Sequence, residues 1–167
     1  MLHVQGSRFV RSSRKLASLL QCRTGERWFH VQAVRCLRSG QTPICWLDLY
    51  LVPEYSGVLP LIGKRDQPVY EMILEKYGEQ TASVSVDLGV SRISAAMAEP
   101  LQAKAGESSL RVVRRYGGTD KRTFQISVSE HPADRYNYRL QLQYDLNTGA
   151  AWSAGTAAEK TRGQAHG

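Results

Sequence analysis

The sequence predicts an α+β domain, a mainly antiparallel sheet with a few helices packed on it. Two observations carry this. The stretches 26–52 and 110–142 each read as strand, turn, strand, with alternating side chains and Gly or Pro at the turns. Only two short stretches, near residues 12–24 and 67–77, carry apolar residues at helical spacing. A length of 167 residues gives room for one domain with its own core. Hydrophobic residues make up 42% and charged residues 22%, the balance of a soluble globular chain. No apolar run approaches the roughly 20 residues of a membrane span, so no membrane partner and a cytoplasmic location are expected.

Residues 1–11 read as a flexible, irregular segment, rich in Arg and Ser and followed by the first acid, Glu26. That composition is shared by transit peptides, but a cleavage signal is missing. Ser12 or Ser13 is placed to cap a short helix carrying Leu16, Leu19 and Leu20 on one side, ended at Thr24-Gly25. From Glu26 to Leu37 a strand puts Phe29, Val31, Ala33, Arg35 and Leu37 on one face and Trp28, His30, Gln32 and Val34 on the other. Ser39-Gly40 makes the turn, and Ile44 to Val52 returns antiparallel. A Pro/Gly-bearing loop fills 53–64. Asp66 is placed to cap a helix over 67–77 with Pro68 in its first turn and Tyr70, Leu74 and Tyr77 on one face. Residues 82–95 read as extended and 96–104 as a short Ala-rich helix.

In the next strand Leu110, Val112, Arg114 and Tyr116 share a face, and Gly117-Gly118 turns the chain. Phe124, Ile126, Val128 and Glu130 then share a face, with Gln125, Ser127 and Ser129 on the other. A final strand is expected over 136–144, followed from Asn147 by a disordered tail rich in Ala, Gly and Thr. The domain thus spans 12–146, and the tail 147–167.

The candidate chemistry lies on the strands. Arg35, Arg114 and Glu130 each fall on an otherwise apolar face. A charge there is costly unless it is paired or meets a ligand. The three are expected to share a polar pocket, with a structural ion-pair cluster as the alternative. Three cysteines without CxxC spacing and four scattered histidines point away from a disulfide scaffold or metal site, and no cofactor is implied. A nucleophile–base pair is not evident. The net charge of +7 collects over 8–38 and 111–122 without a dense basic run, a poor pattern for direct nucleic-acid binding.

The order L-x-V-x-R-x-Y, a Gly turn, then S-E-H-P-A-D-R-Y-x-Y resembles the last third of a UTRA domain. UTRA is the effector-binding half of GntR regulators of the HutC subfamily, and its fold is similar to that of chorismate lyase. The first hairpin and the 67–77 helix fit the same pattern, so the resemblance covers roughly 10–145. It implies a small-molecule sensor controlling transcription rather than an enzyme. It also puts Arg35 at the first arginine of an R-x-R pair that holds effector, and Tyr70 near the ligand. The expected ligand set is Arg35, Tyr70, Arg114, Glu130 and Tyr136. The arginines would face an anionic group, Glu130 a polar or cationic one, and the tyrosines would add hydroxyl and ring contacts.

Leu37 stands where the second arginine of that pair would be, and Pro68 where a phosphate-binding serine would be. Both departures point away from a sugar-phosphate effector. The resemblance further implies a homodimer formed through the sheets. DNA contact would come through a winged-helix domain or partner chain, because the residues before 10 are too few to form one. The alternatives are a chorismate-lyase-like enzyme, although the lyase's own arginine–glycine–proline pattern is missing, and a ligand-free regulatory remnant.

Overall fold

Alternating side chains set the architecture. Strands β1 (Leu2–Arg11), β2 (Arg27–Cys36), β3 (Pro43–Leu51), β4 (Ser83–Arg92), β5 (Ser108–Gly117) and β6 (Thr123–Pro132) form one sheet in the order β1-β2-β3-β6-β5-β4. Every neighbouring pair is antiparallel. The sheet is therefore two meanders joined along β3 and β6. The helices are α1 (Arg14–Leu20), α2 (Val69–Tyr77) and α3 (Ala95–Ala98). The structure, a computed structural model, describes residues 1–37, 42–139, 142–143 and 153–154. No helix among them is long and apolar enough to cross a membrane.

Local chemistry explains the helix ends. The Ser13 hydroxyl caps α1 by accepting from the Leu16 amide at 3.3 Å, and Gln21 closes it in the left-handed region. Pro68 rather than Asp66 is the N-cap of α2, and Gly78 ends that helix at φ 74. The helices take opposite faces of the sheet. On one face Tyr70 of α2 stacks on Tyr116 of β5 at 5.0 Å. On the other, Arg115 donates to the Leu19 carbonyl at the end of α1, and Ile93 and Leu101 pack on Val34 and Trp46. Val31, Leu51, Met72, Ile73 and Ile126 are fully buried in the main core. Each contributes roughly 1.5–3 kcal/mol relative to exposure.

Four expectations need correction. Residues 1–11 are not an irregular segment: Leu2–Arg11 is β1, paired along β2 with a bulge between Val4 and Gly6. Its alternation is faint because an edge strand turns most of its side chains to water, with only Leu2, Gly6 and Val10 partly covered. Residues 136–139 are not strand. β6 ends at Pro132, which has no N–H to extend the ladder. Arg135 then fixes the chain by donating to the Pro43 carbonyl at 2.9 Å and the Gln102 carbonyl at 2.8 Å. Finally, the 96–104 helix shrinks to the single turn of α3, and the 53–64 loop contains a 3-10 run over Pro53–Leu61.

The Ser39-Gly40 turn lies outside the described residues. So does the 147–167 tail, apart from β8 (Ser153–Ala154), which pairs with β7 (Leu142–Gln143).

Candidate functional site

Register decides which side chains meet. Arg35 pairs with Cys45, Leu47 with Ser129, Leu49 with Ser127, Ser127 with Arg114, and Gln125 with Tyr116. Directly opposed residues point to the same face. Arg35, Cys45, Leu47, Leu49, Gln125, Ser127, Ser129, His131, Arg114 and Tyr116 therefore occupy one face, the one that carries α2. Between this face, the start of α2, the 63–68 loop and the first two residues of the chain lies a cavity of about 610 Å³. That is the size of a small-molecule site.

The loop is seated against β1 at Gly63, whose φ is +83. A side chain there would put its Cβ 2.4 Å from the Leu2 carbonyl oxygen. Glycine is thus required both for the left-handed backbone and for the close approach.

The cavity has a graded lining. Arg35 and Arg114 give it a cationic part. Gln125, only 3% exposed, lines the cavity, and its Oε1 has no hydrogen-bond partner. His131 is 2% exposed, and neither ring nitrogen has a hydrogen-bond partner. Its ring lies on that of Tyr136, with centroids 3.8 Å apart. Burial, reinforced by the nearby Arg114 and Arg35 charges, pushes the His131 pKa down to about 4, against a long hydrogen-bonding contact with the Ile44 backbone. The imidazole is therefore neutral near pH 7. Tyr70 and Tyr116 form an aromatic wall. Burial and then the hydrogen bond to Glu71 raise the Tyr70 pKa, which keeps its hydroxyl protonated.

Arg35, Tyr70 and Arg114 all line this cavity. Tyr136 sits one layer behind, as the support under His131. Glu130 does not join them. It lies on the opposite face, where it accepts from Ser109 Oγ at 2.8 Å and pairs with Arg111 Nε at 3.4 Å. The reason is a one-residue register shift between Tyr116 and Gly117. Without it Arg114 would oppose Ile126, and Glu130 would share the Arg114 face. With it, the polar set Gln125, Ser127, Ser129 and His131 lines the cavity. Alternation alone groups Gln125, Ser127 and Ser129 on one face but does not extend the row to His131, and it leaves the orientation relative to β5 hidden.

Asp48 occupies the opposite face and accepts from His30 Nε2 at 2.7 Å, Trp46 Nε1 at 2.9 Å and Gln32 Nε2 at 3.1 Å. His30 stacks on Tyr50 at 4.4 Å. Burial, then the Asp48 charge, pushes the Tyr50 pKa up to about 12. The cluster stitches β2 to β3. No group of three or more potential metal ligands occurs among the described residues.

Residues 3–137 match the family described as the UTRA domain. Among solved structures, the chain is similar to a ligand-binding domain ascribed to a GntR-family transcriptional regulator from Bordetella bronchiseptica. The two share 21% identity over 86% of this chain and 88% of that one, with a TM-score of 0.72. It is also similar to a GntR-family transcriptional regulator from Enterococcus faecalis, at 15% identity over 84% and 99% of the two chains and a TM-score of 0.70. The effector domain of PhnF from Mycobacterium smegmatis matches at 15% identity over 80% and 81%, with a TM-score of 0.66. No curated protein sequence matches the chain.

Proposed function

Because this chain belongs to the UTRA-domain family, we propose that it is the effector-binding sensor domain of a GntR-type transcriptional regulator and that its cavity holds the effector. One observation carries the reading: two arginines and two buried side chains with unsatisfied polar atoms, Gln125 and His131, converge on one cavity. A buried polar group without a partner costs stability, so a ligand that satisfies it gains that energy on binding. The effector is a small molecule with an anionic group for Arg35 and Arg114, a hydrogen-bond donor for Gln125 Oε1, and a flat or apolar part for the Tyr70–Tyr116 wall. Binding acts by differential affinity for two states of the domain. DNA contact is made by a winged-helix domain or a partner chain.

The reading includes a homodimer. β4 is an edge strand, and its Val84, Val86, Leu88 and Val90 are 48%, 39%, 49% and 88% exposed on one face. A second copy related by a twofold axis covers such a strip with the same strip.

A thermal-shift panel of small carboxylates, amino acids, sugar acids and phosphorylated compounds tests the sensor reading. An effector at about 100 times its Kd adds roughly 2.7 kcal/mol of stability. Arg35→Ala should weaken binding by about 2 kcal/mol, as for a charge-assisted contact. A panel without any stabilising compound, or stabilisation unaffected by Arg35→Ala, would count against the cavity.

A further inference from the structure

The geometry points to His131 as a ligand-contacting residue that takes up a proton when an oxyanion binds beside Arg35 and Arg114, so that oxyanion binding in this cavity is proton-coupled. The inference rests on the sensor reading above and adds the chemistry of its anionic end.

The imidazole is the most deeply buried polar ring in the cavity, and both of its nitrogens lack partners. A buried imidazole near two guanidinium groups stays neutral, because burial and like charge both oppose the second proton. An oxyanion reverses both conditions. It cancels the guanidinium fields, and it offers a charged acceptor to a ring that otherwise meets only the Ile44 backbone. The protonated ring then donates to the anion while Tyr136 supports its other side by stacking. The proton comes from solvent, and no bond other than N–H is made or broken.

Other ionisable groups face the same space. Cys45 of β3 stands in the row of Arg35, and Tyr70 and Tyr116 stand on the wall. The loop supplies Lys64, Arg65 and Asp66, and the Met1 ammonium donates to the Cys36 carbonyl at 3.0 Å. Among the described residues that line the cavity, His131 is the only imidazole. Imidazole is the side chain whose ordinary titration falls between about pH 5 and 8.

Sulfate is the ligand for the pH series, because it keeps its double charge across this range; succinate is compared with it only near pH 7, where both carboxylates are ionised, to tell a tetrahedral oxyanion from a pair of carboxylates. Binding is measured by calorimetry from pH 5 to 8 in two buffers of different ionisation heat. The expected result is uptake approaching one proton per anion near pH 5.5. Affinity should fall by up to about tenfold per pH unit over the window where only the complex holds the extra proton.

His131→Asn should bind with a flat pH profile. The imidazole Cε1–H resonance of the wild-type protein gives a second readout that does not depend on the variant folding: it should move to the protonated position on adding sulfate at pH 6. Binding that is independent of pH in the wild-type protein, or a slope that survives in His131→Asn, overturns the inference and leaves the sensor reading standing. Absence of binding by either anion at any pH overturns the inference, while the sensor reading falls only if the wider thermal-shift panel also fails.

Discussion

Replacing Asp48 by Ala separates the polar cluster that holds the fold from the cavity that holds ligand. The Asp48 carboxylate accepts three hydrogen bonds, from His30 at 2.7 Å, Trp46 at 2.9 Å and Gln32 at 3.1 Å. His30 and Trp46 are 5% and 6% exposed, so their donors cannot turn to water when the carboxylate is gone. Gln32 is only half-buried and can be rehydrated. Each buried orphaned donor costs about 1–3 kcal/mol, and two of them give about 2–6 kcal/mol, with a central expectation near 4.

For a domain of this size that corresponds to a melting temperature lowered by roughly 8–16 °C. Urea denaturation followed by tryptophan fluorescence gives the free energy directly, with an unchanged slope showing that the unfolded state is the same. Because the cluster is on the face away from the cavity, anion binding by the folded fraction should be unaffected. A loss below about 1 kcal/mol would refute the reasoning about buried orphans. A loss of anion binding without a loss of stability would show that the His30–Asp48 pair belongs to a functional site.

Four further outcomes are expected. Glu130→Gln should lower stability by about 1–3 kcal/mol, since it removes the charge shared with Ser109 and Arg111, while leaving the anion response in thermal shift unchanged. Gly63→Ala should cost more than about 1 kcal/mol in denaturant titration, from its left-handed φ of +83 and the contact with the Leu2 carbonyl. Without anion, stability should rise with pH between about 4 and 6.5, because there the unfolded chain holds a proton on His131 that the folded chain does not. Full development of that difference is worth about 3 kcal/mol, lost again as pH falls from 6.5 toward 4, and His131→Asn should flatten it in melts across pH. Leu88→Glu on the exposed face of β4 should leave the fold intact and convert a dimer to a monomer in light scattering.

Element identity was legible in the sequence wherever periodicity was strong. A serine cap for α1 (Ser12 or Ser13 by sequence, Ser13 in the structure), the β2 alternation, the return strand β3 and the two-faced patterns of β5 and β6 all follow from residue spacing. The family was legible from the S-E-H-P-A-D-R-Y segment, whose Arg135 holds β3 and the segment after α3 through backbone carbonyls. What sequence spacing does not carry is the phase between strands. Spacing alone puts Glu130 in the pocket and gives no sign of His131, because the bulge at Tyr116/Gly117 inverts the expected pairing. β1 escaped for a different reason: its pairing energy comes from β2, and its own side chains mostly face solvent. Tertiary contact, not local pattern, makes it a strand.

The two meanders share a single ladder, six residue pairs from Trp46↔Glu130 to Leu51↔Gln125, with Arg35 on one side of it and Arg114 on the other. An occupant held by both guanidinium groups is a clasp across that ladder. It ties β2 to β5 without touching the hydrogen bonds between β3 and β6, and it raises the free energy needed to part them. Backbone amides along β3 and β6 should then exchange with solvent more slowly when the clasp is closed, and those of β4, beyond the clasp, should change little. The domain would register an effector as a change in how often its halves separate, a mechanical signal available even when the average shape stays the same.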